Sequence, residues 1–168
     1  PDKVCMLGMV RTWQKVRPLA KLSVVDNVMV GALARTSSLK VAREMAMEQL
    51  KVVRMEHRAD FLAGGLPIGE RKKLEVARAL ATQPKLLALD EPAAGMNATE
   101  KVELRGLLDK IRSDGKTILL IEHDVKLVMG LCNRLTVLDY GKVIAQGLPQ
   151  EVQSNPAVIE AYLGASAH

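Results

Sequence analysis

Lys85-Leu86-Leu87-Ala88-Leu89-Asp90-Glu91-Pro92 is a short apolar run that stops at two adjacent carboxylates and a proline. It is too short for a free-standing helix and has the length and continuity of a buried strand. Two more runs, Thr117-Ile118-Leu119-Leu120-Ile121-Glu122 and Leu135-Thr136-Val137-Leu138-Asp139-Tyr140, have the same form. Helical segments around Thr99 to Arg112 and Val125 to Cys132 separate them. Strand, helix, strand, helix, strand predicts an α/β fold with a mainly parallel sheet.

The ends of these strands are where chemistry is expected. Phosphate-transfer enzymes place a magnesium-associated aspartate at the C-terminal edge of a parallel sheet. Asp90 is a candidate to hold the ion, and Glu91 to accept the proton of an attacking water. The next run ends in Glu122-His123-Asp124, so His123 falls at the same edge if the two strands are neighbours. A histidine there can donate to a phosphate oxygen. The plain alternative is that Asp90 and Glu91 only end a strand and cap a turn, and that His123 is a surface histidine.

Upstream the character is helical. Ser23 is placed to cap a helix from about Val24 to Ala34. Thr36-Ser37-Ser38 is a polar break, and Leu39 to Asp60 reads as one long amphipathic helix with room for an interruption, its apolar positions being Val41, Met45, Leu50, Val53 and Phe61. Gly64-Gly65 and Pro67 form a loop. A helix then starts near Gly69 with an apolar stripe at Leu74, Ala77 and Leu80. Downstream, Gly141-Lys142 turns a hairpin over Leu135 to Gln146, and Pro156 opens a last short helix. Residues 1–168 read as one partial domain with a helical lobe over about 15–82 and an α/β lobe over about 83–168.

Composition narrows the function classes. The chain is 48% hydrophobic and 26% charged, which is ordinary globular usage. No apolar run approaches the roughly 20 residues that cross a bilayer. Cys5 and Cys132 lie in no metal-binding or disulfide spacing and read as buried thiols. The net charge of +5 fits nucleic acid, a membrane surface or phosphate chemistry alike. Four scattered aromatics (Trp13, Phe61, Tyr140 and Tyr162) do not make a stacking platform for single strands.

The order of these motifs resembles the ATP-binding subunits of ABC transporters, from the first residues to the last. Arg11-Thr12-Trp13-Gln14 looks like the Q-loop, with Gln14 the residue that contacts magnesium and reports nucleotide state. Leu66-Pro67-Ile68-Gly69-Glu70 takes the place of the LSGGQ signature, at a helix start that would face the γ-phosphate of ATP on a second subunit. Pro67 stands for the usual serine and Glu70 for the usual glutamine. Asp90 and Glu91 match the Walker B aspartate and catalytic glutamate, and His123 matches the switch histidine. Ala94-Gly95-Met96-Asn97 fills the D-loop position, with Asn97 in place of an aspartate. The ending Gly141 to Gly147 and Val158 to Gly164 is similar to branched-chain amino acid importers, and urea importers share much of it.

The resemblance implies a partial P-loop NTPase that uses ATP and Mg2+, dimerises with a second ATP-binding subunit, and docks on transmembrane permease subunits. Its place would be peripheral, at the cytoplasmic face of the inner membrane, with no nucleic acid bound. The phosphate-cradling GxxxxGK[ST] loop does not occur in the 168 residues. With the chain opening at Pro1 just before the Q-loop, N-terminal truncation is the expectation. Residues 1–168 alone are then expected not to hydrolyse ATP, and to fold weakly because strand edges are exposed. Two other classes stay open: a soluble ABC-type ATPase acting on nucleic acid or ribosomes, and a non-catalytic partner-binding fragment. The interval from Gln14 to Gly69 leaves no room for the long coiled-coil arm of DNA-repair relatives.

Overall fold

The structure, a computed structural model, describes residues 2–13 and 18–163. Its centre is β2 (Leu86–Asp90), hydrogen-bonded on one side to β1 (Met9–Arg11) and on the other to β3 (Thr117–Ile121), all parallel. Leu86 pairs with Thr117 and Asp90 with Ile121, so β2 and β3 end together. Leu87, Ala88 and Leu89 are buried, as a strand covered on both faces requires. β3 instead alternates half-buried with exposed residues, and Leu119 and Ile121 are about half exposed.

The helices before β2 pack on one another. α1 is a short helix, Asp2–Met6, ahead of β1. α2 (Val24–Ala32) opens as expected on Ser23, whose Oγ accepts from the Asp26 N–H at 3.1 Å. It lies against α3 (Leu39–Val52) and α4 (Ile68–Ala81). A Cβ at Gly31 would run into the carbonyl oxygen of Arg78, so α2 and α4 meet backbone to backbone at that point. After β2, α5 (Ala98–Ser113) leads to β3 and buries Leu104, Leu107, Leu108 and Ile111.

The chain divides into two compact units, Pro1–Glu122 and His123–His168. The second contains α6 (Val125–Leu131), the antiparallel pair β4 (Leu135–Asp139) and β5 (Lys142–Gly147), α7 (Pro149–Gln153), and α8 (Pro156–Val158), which continues into a wider helical turn over Ile159–Leu163. Ala145, Val152 and Val158 form its small core, with Leu135, Val137 and Ile144 packed around them.

Several expectations are corrected. β4 pairs with β5 in a two-stranded sheet of the second unit, where the tight turn at Tyr140 and Gly141, both at positive φ, returns the chain onto it, and the parallel sheet of the first unit consists of β1, β2 and β3. The long helix from Leu39 ends at Val52, where Arg54 takes a left-handed φ of 58° and a short 3₁₀ turn follows at Glu56–Arg58. Its buried face is Ala42, Ala46 and Leu50, the two alanines letting α2 approach, whereas Val41 and Phe61 are exposed. The thiols of Cys5 and Cys132 are half-buried rather than buried, and neither forms a disulfide.

Candidate functional site

The end of β2 carries Asp90 and Glu91, and the first unit builds a polar cluster around them. Glu91 adopts φ +44°, a left-handed conformation that a glutamate takes only where its surroundings fix it. Both of its backbone polar groups are engaged. Its N–H donates to the Ile121 carbonyl at 2.9 Å, and its carbonyl accepts from Lys72 Nζ at 2.8 Å. The next turn is held by Glu122, whose Oε1 accepts the Ala93 N–H at 2.8 Å. Asp90 is paired with Arg11 of β1 at 2.7 Å, and that guanidinium also lies 4.8 Å from the centre of the Trp13 ring.

α4 supplies a second wall. Lys72 and Glu75, one turn apart on it, are buried charged residues, 5% and 6% exposed. Burial holds the Lys72 ammonium below the ordinary lysine range, while the carboxylates of Glu75, Glu122, Glu91 and Asp90 pull the other way. Burial likewise raises Glu75, against the opposing influence of the Trp13 N–H, which it accepts at 3.2 Å, and of Arg78 and Lys72. Val10, Arg11, Trp13, Val30, Gly31, Glu75, Arg78, Ala79 and Thr82 surround an open groove of about 260 Å³.

The signature segment is the start of α4. Pro67 is its N-cap and provides no side-chain cap hydrogen bond, so the first turn's N–H groups are left to other acceptors. Leu66 is buried and its carbonyl accepts from Arg71 Nε at 2.6 Å, while Pro67 and Ile68 are exposed. A Cβ on Gly69 would meet the flexible end of the Glu100 side chain, which would have to shift to admit it. Glu70 turns to Arg58, with 3.4 Å between Oε1 and the guanidinium, so its negative charge is offset where the resemblance expects an anion. Asn97 caps α5 in a capping box: its Oδ1 accepts the Glu100 N–H at 3.0 Å, and its own N–H donates to Glu100 Oε2 at 2.8 Å.

His123 is exposed and lies two residues beyond Ile121, as the first residue of the second unit. Gln14 lies outside the described residues. Among the described residues no group of three or more His, Cys, Asp or Glu could by itself hold a metal. The carboxylate oxygens of Asp90 suit a hard cation that arrives with phosphate ligands, as magnesium does, rather than a resident metal cage. The residues therefore fit Mg2+ with ATP.

A family profile described as ABC transporter matches residues 7–94, which span β1, α4 and the Asp90-Glu91 turn. The high-affinity branched-chain amino acid transport ATP-binding protein LivG of Escherichia coli (strain K12) is 38% identical over 180 aligned positions, covering 97% of this chain and 70% of that relative. The chain belongs to the ABC transporter ATP-binding proteins. BraF of Pseudomonas aeruginosa, another branched-chain amino acid transport ATP-binding protein, is 38% identical over 96% of this chain and 70% of its own length. A second profile, described as branched-chain amino acid ATP-binding cassette transporter, matches residues 142–168. Among solved structures, the ADP conformation of an ATP-binding cassette of an ABC transporter superposes with a TM-score of 0.84 at 30% identity, over 98% of this chain and 71% of that one. ATP hydrolysis is the activity of this family, and the α/β fold with its parallel sheet is that of its ATP-binding cassettes.

Sequence reasoning missed several residues that the structure packs around Asp90, Glu91 and the start of α4. Lys72 and Glu75 read as charges among helix formers, although their i, i+3 spacing puts them on one face of α4. Glu100 showed no sign of a second contact at Gly69. Arg11 stood in the quoted Q-loop segment without a role.

Proposed function

We propose that the chain is the ATP-hydrolysing subunit of an importer for branched-chain amino acids, bound peripherally to its permease at the cytoplasmic face of the inner membrane. The observation that carries this reading is Asp90-Glu91 at the end of β2, with Glu91 clamped through both backbone polar groups. The likeness to LivG and BraF, and the profile matched by residues 142–168, support the solute class. Magnesium-bound ATP supplies the phosphoryl group and leaving group for an in-line attack by water. Asp90 and Gln14 would hold the ion, and Glu91 accepts the proton of the water at its carboxylate. His123 donates a hydrogen bond toward the transferred phosphate. Leu66 to Glu70 present the α4 start, with Asn97 beside it, to nucleotide held by a second ATP-binding subunit. The groove beside Trp13, with exposed Leu19, Leu22, Val30 and Leu33 near it in the chain, is the face offered to the permease.

In the full-length protein reconstituted with its permease, Glu91→Gln is expected to lower ATP turnover by about 10²–10⁴-fold while ATP remains bound. Turnover at the wild-type rate refutes the base assignment. Leucine uptake that depends on ATP supports the solute class, and uptake of urea but not leucine overturns it.

A further inference from the structure

Lys72 lies just past the first turn of α4, the helix that opens with the signature segment, and is 5% exposed. A buried ammonium is costly unless its protons are taken up. One of its hydrogen bonds, 2.8 Å long, goes to the backbone carbonyl of Glu91, and carboxylates lie around it as well. That carbonyl belongs to a residue at φ +44° whose N–H is pinned to the end of β3. Release of either bond lets the backbone relax toward a common conformation, and the Glu91 side chain swings with it.

We infer that Lys72 is the positioning residue of the hydrolytic centre: its grip on the Glu91 carbonyl fixes where the Glu91 carboxylate points, and ties that direction to the seating of α4. Lys72 acts through Glu91 and touches no reacting atom in this role. The inference rests on Glu91 being the base. A misplacement of the base by about 1 Å is enough to cost ~10²-fold in rate, whereas nucleotide affinity depends on other groups. Arginine in place of lysine keeps a charged donor that reaches a carbonyl. Methionine keeps the length and loses the donor, and glutamine keeps an N–H donor without the charge.

The test compares Lys72→Met, Lys72→Gln, Lys72→Arg and Glu91→Gln in the full-length ATPase, measuring kcat, KM for ATP and thermal unfolding. Lys72→Met is expected to lower kcat about 10–100-fold, with KM within about threefold of wild type. Lys72→Arg should recover most of the rate, and Lys72→Gln should fall between. If Lys72→Met does not fold, the Arg and Gln variants decide by the same split. A Lys72→Met kcat within about threefold of wild type overturns the inference. So does a loss that arginine fails to rescue and that follows unfolding temperature and KM together. Normal turnover in Glu91→Gln removes the base and the inference with it, whereas an inactive Glu91→Gln beside an active Lys72→Met removes the role of Lys72 alone.

Discussion

α4 and α5 stand on either side of β2 in the chain, and they begin in opposite ways. α5 satisfies its own first turn through the reciprocal hydrogen bonds of Asn97 and Glu100. α4 begins at Pro67 with no side-chain cap. Their charges differ too. α5 carries exposed ion pairs along its surface, Arg112 with Asp109 at 3.0 Å and Lys110 with Asp114 at 3.3 Å. α4 turns Lys72 and Glu75 inward. Exposed pairs of the α5 kind add little to stability, typically about 0–1 kcal/mol, and its capping box satisfies two of the N–H groups at its start. α4 leaves its first N–H groups to acceptors outside its own cap and buries charge beside a pair of carboxylates, the arrangement that the proposed function gives to the nucleotide face.

The two starts touch, which allows the comparison to be broken from one side. Glu100 uses Oε2 in the α5 cap, and its carboxylate also lies against Gly69 of α4. Gly69→Ala places a methyl group there, so the flexible end of the Glu100 side chain must shift and its capping bond to Asn97 loosens. Loss of that cap costs up to about 1 kcal/mol, and nucleotide-dependent dimerisation should weaken with it. Denaturant unfolding of the full-length protein measures the first effect. Wild-type stability together with wild-type dimerisation would show that the two helix starts are independent.

Asn97→Ala attacks only the capped start. Loss of an N-cap side chain costs about 1 kcal/mol, so the unfolding midpoint should drop, and because the proposed function sets Asn97 beside the α4 start, turnover should fall by more than the stability loss alone accounts for. A midpoint drop with unchanged turnover would confine Asn97 to capping α5 and remove it from the nucleotide face.

Much of this contrast was legible in the sequence at the level of elements. The apolar runs ending at Asp90 and Ile121 predicted β2 and β3, and their shared end follows from neighbouring parallel strands. Turn chemistry at Gly141 predicted the hairpin. β1 escaped because Met9-Val10-Arg11 is too short to show a period. The end of α3 escaped because Arg54, neither glycine nor proline, takes the left-handed turn. In the site, Asp90 and Glu91 stood out because adjacent carboxylates after an apolar run are a strong local signal. Lys72, Glu75 and Glu100 act through contacts 19, 62 and 31 positions away in the chain, at Glu91, Trp13 and Gly69, and no local pattern announces such partners.

The buried charge of α4 gives the smallest effect and separates it from α5 by pH. Burial raises Glu75, so in the folded protein it keeps its proton to higher pH than in the unfolded chain. Below the ordinary glutamate value of about 4.3 both states are protonated and the group is neutral in the balance. Above that value the folded state binds more protons, so stability falls as pH rises, until Glu75 ionises in the folded protein as well. Glu75→Gln removes this slope and still offers the Trp13 N–H an amide oxygen. The variant should therefore gain on wild type as pH rises from about 4 through the weakly acid range, by less than about 1 kcal/mol. Titrations common to both proteins cancel in that difference, and the exposed pairs of α5 are among them. Parallel stability profiles would mean that the Trp13 N–H, Arg78 and Lys72 together compensate the burial of Glu75 in full, and α4 would then differ from α5 in its start alone.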